Sequence, residues 1–448
     1  MPDTSSGVET VVNWIDSMSD DSLRDAAGIS AARRALLPAP TLPLVYFAGA
    51  HLALAIAFAT LLIEPGLAGA FHYHPRLIAV LHLVTLGWIS GSILGAVYIV
   101  APLALGLPFR ARRTDAIACL LFWLGTAGMV GGFWMGRFAV VGIASLSLLG
   151  ALTFVGVRLL SNLPAARLPR GVSLHLALAF LNIVLAGAAG ALMAGNRVVG
   201  NLPWSPLALA LAHAHVAVLG WATMMIFGMG YRLIPMFLPA GMPSGAGLGI
   251  SAVLLELGTL GLAASLVAGW SPGPSGLLVV GACAAFFWWI RRTLRDRRPR
   301  PIELPRHDWS TWHTHLAIAY LVMAIALGCW LAFGEPPVAV TWAYGATGIL
   351  GFVAQMVSGI QGRLLPLFAW YRALELRDGD LPRQSVHRLI APPLALAVLL
   401  AWLVGLPVLT LGLMTEHHAS VATGSAVLLG ATILSAAHGA VIIRRARA

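Results

Sequence analysis

The chain has 448 residues, 59% hydrophobic and only 10% charged, a ratio that excludes an ordinary soluble domain and makes the bilayer its natural solvent. Every basic residue is an arginine, and the formal net charge is +11. The arginines concentrate in alternate connections between apolar runs, so topology accounts for the positive balance and nucleic acid is not needed as a partner.

Residues 1–38 have no basic start, apolar core or small-residue cleavage site of a signal peptide. They carry Asp16, Asp20, Asp21 and Asp25, which predicts a polar cytoplasmic tail. Residues 39–448 read as an all-α membrane domain of about twelve transmembrane helices, at 41–63, 77–104, 115–136, 138–160, 173–195, 206–231, 248–269, 274–292, 312–333, 338–366, 388–411 and 418–443. The arginines fall after the second, fourth, eighth and tenth spans and at Arg444, Arg445 and Arg447, whereas the opposite loops hold single ones at Arg76, Arg137 and Arg197. Both termini are therefore expected on the cytoplasmic side of a bacterial-type inner membrane. Cys119, Cys283 and Cys329 form no C-x-x-C or C-x-x-C-H pattern, so neither disulfides nor covalently attached haem is expected.

The chain repeats itself. Segments beginning at His82, His215 and Ala346 carry Gly at +5 (Gly87, Gly220, Gly351), an aromatic at +6 (Trp88, Trp221, Phe352), Gly at +13 (Gly95, Gly228, Gly359) and Pro at +20 (Pro102, Pro235, Pro366), with offsets of 133 and 131 residues. A second echo places His51, His175 and His315 in HLALA, HLALA and HLAIA. Together they predict three pseudo-symmetric units of four helices, at about 41–160, 173–292 and 312–443. The glycines read as packing positions that let helices approach, and the prolines as helix ends.

An imidazole inside a span is costly unless partnered, which makes the histidines functional candidates. His82 and His215 occupy equivalent positions, so they are expected to ligate one metal from two helices. His213 lies about 200° round the helix from His215 and is expected to face another crevice and a second metal. Arg76 and Arg197, near the same surface, could pair with haem propionates. His51, His175 and His315 could form an inner metal or proton site. For all of these histidines, hydrogen bonding between helices is the alternative. Glu256, a carboxylate inside a span, is the candidate catalytic, proton-handling group; a protonated Glu bonded to a carbonyl is the plainer reading.

The stretch His82-LVTLGWISGSILGAVYIVAP resembles the second helix of nitric oxide reductase catalytic subunits. His213-Ala-His215-VAVLGW is similar to the H-x-H helix of C-type oxidases. Twelve helices in three units of four likewise resemble subunit I of the haem–copper oxidase superfamily. The end GYRLIPMF is more distantly similar to the NnrS-type family, membrane haem–copper proteins linked to nitric oxide stress. The resemblance implies haem b, one or two, with His82 and His215 on the low-spin haem and His213 on a high-spin one. It also implies cytochrome c or quinol as electron donor, a partner subunit, and respiratory electron transfer or nitric oxide handling by an oxidoreductase. The departures are specific. In that family the H-x-H lies on the tenth helix, where this chain has Ala346, and the family's copper ligands have no counterpart, so copper is left open. A multi-span transporter, or a haem- or copper-handling protein without turnover, is the competing reading.

Overall fold

The computed structural model describes residues 34–69, 73–166, 168–200, 202–299, 308–382 and 384–447. The acidic tail positions Asp16, Asp20, Asp21 and Asp25, and His72, Arg167, Arg300, Arg306 and Arg383, lie outside the described residues. Among those described, the secondary structure is helical throughout, with no strand.

Twelve helices are long and apolar enough to cross a membrane: α1 (Leu42–Ile63), α2 (Pro75–Leu103), α3 (Arg113–Trp134), α4 (Phe138–Ala165), α5 (Arg170–Val199), α6 (Pro206–Phe237), α7 (Gly247–Ala268), α8 (Gly273–Arg295), α9 (Trp309–Phe333), α10 (Val338–Leu376), α11 (Pro392–Thr415) and α12 (His418–Arg447). The expected spans match this set closely except at α10, which passes ten residues beyond Pro366. Proline removes one backbone donor there without ending the helix, because the continuation buries Phe368, Ala369, Ala373 and Leu374. Prolines Pro102 and Pro235 do sit within the last three residues of α2 and α6. Elsewhere helices stop where backbone chemistry allows it, as at Gly200 and Gly269, whose left-handed conformations cap α5 and α7.

Neighbouring helices close a ring: α1 packs on α3, α3 on α4, α4 on α5, α5 on α7, α7 on α8, α8 on α9, α9 on α11, α11 on α12, and α12 back on α1. Inside it stand α2, α6 and α10, with α10 against both others. In their most apolar stretches, 72% of α2 and 61% of α10 residues are buried, against 17% of α9, which separates centre from lipid-facing rim. For α6 the share is only 44%, because half-exposed residues from Leu207 to Leu211, together with His213 and His215, border open crevices.

Lipid tails are as apolar as leucine, so helix association here rests on close packing and internal hydrogen bonds. The glycines at +5 serve that end. A Cβ on Gly87 would lie 2.3 Å from Ala53 Cβ, one on Gly220 2.6 Å from the Asn182 side chain, and one on Gly351 2.6 Å from the Tyr320 ring. Around these glycines the three central helices widen into π-helix, at Leu83–Ser90, Val216–Thr223 and Ala346–Ala354. The hydroxyls of Ser90 and Thr223 donate to carbonyls five residues back, Thr85 and Val218, each at 2.9 Å. Insertions of this kind shift the phase of everything that follows on the helix and concentrate at functional sites.

Candidate functional site

His82 ends the α-helical first part of α2, immediately before its π-helical stretch, and His215 does the same in α6. Within an α-helix, residues two apart point to opposite sides, so His213 and His215 must enter different crevices. They do, and the partners are the reverse of those expected. His82 faces His213, not His215: the rings are 6.5 Å apart with 30° between their planes. His215 turns to Tyr344 on α10, ring to ring at 6.0 Å, with Nε2 3.2 Å from the phenol oxygen.

Both members of the facing pair are anchored on the same atom. His82 Nδ1 lies 2.8 Å from the Ile78 carbonyl, and His213 Nδ1 lies 3.0 Å from the Ala186 carbonyl on α5. A carbonyl only accepts, so each Nδ1 carries the proton and each Nε2 is left with its lone pair. That is the arrangement by which proteins fix the tautomer and orientation of a metal-ligating imidazole. Among the described residues no group of three or more His, Cys, Asp and Glu side chains comes together. Two imidazoles alone would leave a bare ion short of the four protein ligands it needs, so a metal held here would have to bring further ligands with it.

Aromatic rings wall the crevice. Phe133 of α3 stacks on His82 at 5.3 Å and meets Phe138 edge-on at 6.2 Å. Arg197 lies over Phe138 at 5.5 Å and over Tyr73 at 5.0 Å, so a chain of rings joins this arginine to His82. Arg76 lies over Trp134 at 5.0 Å and pairs with Glu64 at 3.4 Å, which leaves it part-neutralised. Deeper between the central helices, Trp221 Nε1 donates to Ser90 Oγ at 3.1 Å and ties α6 to α2. Below that tie lies a cavity of about 80 Å3, walled mainly by apolar residues of α2, α6 and α10, such as Ile93, Met225, Met229 and Met356.

The other predicted site residues do not gather. His51 bonds to Ser435 of α12 at 3.1 Å and packs edge-on against Trp88. His175, fully buried, meets Ser251 at 3.2 Å, and Ser251 meets Tyr231 at 2.9 Å. His315 is exposed on the rim of the bundle beside Trp312. The echo in HLALA does not survive folding, because glycines at equivalent places on α2 and α6 meet different points of it. Gly95 packs on Phe47 and Tyr46, four and five residues before His51, whereas Gly228 packs on His175 itself. Glu256 of α7 is buried, and its carboxylate accepts from Asn182 Nδ2 at 2.6 Å. Asn182 lies one turn along α5 from Ala186, the residue that anchors His213. Sequence reasoning missed Tyr344, Phe133 and Ala186. Only the first left a trace: Tyr344 stands two residues before Ala346 as His213 does before His215.

Compared with protein-family models and with curated proteins, the chain matches none.

Proposed function

We propose that this chain is an integral membrane haem protein similar to subunit I of the haem–copper oxidase superfamily, in which His82 and His213 would hold one haem b. The observation that carries the reading is the facing pair, with both Nδ1 atoms tied to carbonyls and both Nε2 atoms free. When bound, the haem would supply one-electron chemistry, for electron transfer in respiration or for handling nitric oxide. Phe133 and Phe138 would exclude water from the His82 side, and Arg197 is better placed than Arg76 to meet a propionate, since Arg76 already holds Glu64.

The registers of the three central helices support the proposed threefold arrangement of four-helix units. His82 pairs with the residue two before His215, and His215 pairs with the residue two before Ala346. In the same order the third crevice would fall to Ala346 and Val80, which carry no ligating atom. A second haem would be held by His215 only if its Nε2 gave up the Tyr344 hydroxyl, which it meets at 3.2 Å, and Glu256, bonded to Asn182, would supply a proton near the first.

The test is the optical spectrum of the detergent-purified protein, oxidised and dithionite-reduced, with iron and copper analysis. Sharp reduced bands of a six-coordinate b-type haem are expected. A colourless, metal-free protein after expression with ample haem would overturn the reading and favour a transporter.

A further inference from the structure

Where α10 runs on past Pro366, its outer face meets the last turns of α12, and a small groove opens between them. Phe368, Ala369, Ala373 and Leu376 form one wall, Ile443 and Ala446 the other, with Arg372 and Arg447 set among them. Arg372 Nε is buried and has no hydrogen-bond partner. A guanidinium N–H shut away from water and left unpaired is costly, so this donor calls for an acceptor.

Three neighbouring charged groups are committed elsewhere. Glu375 binds Arg110 at 2.7 Å, Asp378 binds Arg34 at 3.0 Å, and Arg445 donates to the Ile390 carbonyl at 2.7 Å. Among the described residues no carboxylate lines the groove. Leu376, 68% exposed, extends the apolar wall outward from the two cations. Anionic oxygens are demanded between apolar side chains at the arginine-rich end of the bundle, where alternate connections and α12 place their positive charge. A phospholipid satisfies both demands at once: phosphate for the arginines, acyl chain for the walls.

We propose that this groove between α10 and α12 binds an anionic phospholipid, with its phosphate on Arg372 and Arg447. The experiment is native mass spectrometry of the full-length protein in mild detergent. Phosphatidylglycerol and phosphatidylcholine of the same acyl composition are the probes, with glycerol phosphate as the soluble competitor. The expected result is at least about tenfold stronger retention of phosphatidylglycerol, the worth of one charge-assisted contact. That preference should fall away in R372Q/R447Q and persist in the surface control R295Q. R447Q alone, on the exposed last turn, should weaken it even if Arg372 proves necessary for folding. Equal retention of the two lipids, an unchanged preference in the double variant and in R447Q, or full displacement by glycerol phosphate would each overturn the proposal, the last by showing a site for a soluble anion.

Discussion

Replacing His213 with alanine separates the pairing seen in the structure from the one the repeat alone suggests. The substitution removes an imidazole 6.5 Å from His82 together with its bond to the Ala186 carbonyl. The lost hydrogen bond is worth about 1 kcal/mol, a small part of what holds a twelve-helix bundle, so the protein should insert and purify normally. Loss of an outer partner of a metal ligand already costs roughly 10–100-fold in affinity, and loss of the ligand itself should cost more. The assay is the dithionite-reduced spectrum together with the haem-to-protein ratio under limiting haem. His213→Ala and His82→Ala should both abolish the six-coordinate bands, while His215→Ala, which cuts the contact to Tyr344 and the bond to the Leu211 carbonyl, should leave them in place. If His215→Ala removed the bands and His213→Ala kept them, the structural pairing would be wrong.

Three further outcomes are expected. Asp115 is fully buried at the start of α3, where it pairs with Arg158, accepts from Tyr98 at 2.8 Å and caps the backbone of Arg112 at 2.6 Å. Asp115→Ala takes from the part-buried Arg158 the carboxylate it pairs with, leaving its guanidinium the Arg110 carbonyl and the Phe109 ring, and should destabilise the protein by about 3 kcal/mol, read as a large drop in thermal midpoint in detergent; a shift of a degree or less would contradict this. Glu256→Gln keeps an acceptor for Asn182 and should leave stability nearly unchanged, whereas Glu256→Ala leaves that amide only the Leu178 carbonyl, 2.9 Å away, and should cost about 1 kcal/mol in the same measurement. Any effect of Glu256→Gln on turnover then reports on protons alone. Gly87→Val places a side chain against Ala53, whose Cβ would be 2.3 Å from the new one. Neither partner has a rotamer to escape into, so α1 and α2 must separate at a cost of about 1–3 kcal/mol; wild-type stability would show the helices to be less closely packed than described.

The sequence by itself determined the solvent, the number of crossings and the positions at which the three central helices repeat. Each of these follows from properties that act within one helix: an apolar run long enough for the bilayer, arginines gathered in alternate connections, and glycines spaced to admit a neighbour. It also determined that His213 and His215 enter different crevices, since two residues on an α-helix cannot share a face. What it left undecided was which crevice belongs to which helix. That depends on how α2, α6 and α10 are rotated about their axes, and the π-helical stretches beyond His82 and His215 tie that rotation to the closed ring of neighbours. The HLALA echo failed for the same reason. Five identical letters fix a local helix, but His51 and His175 answer to Ser435 and Ser251, which belong to helices far away in sequence.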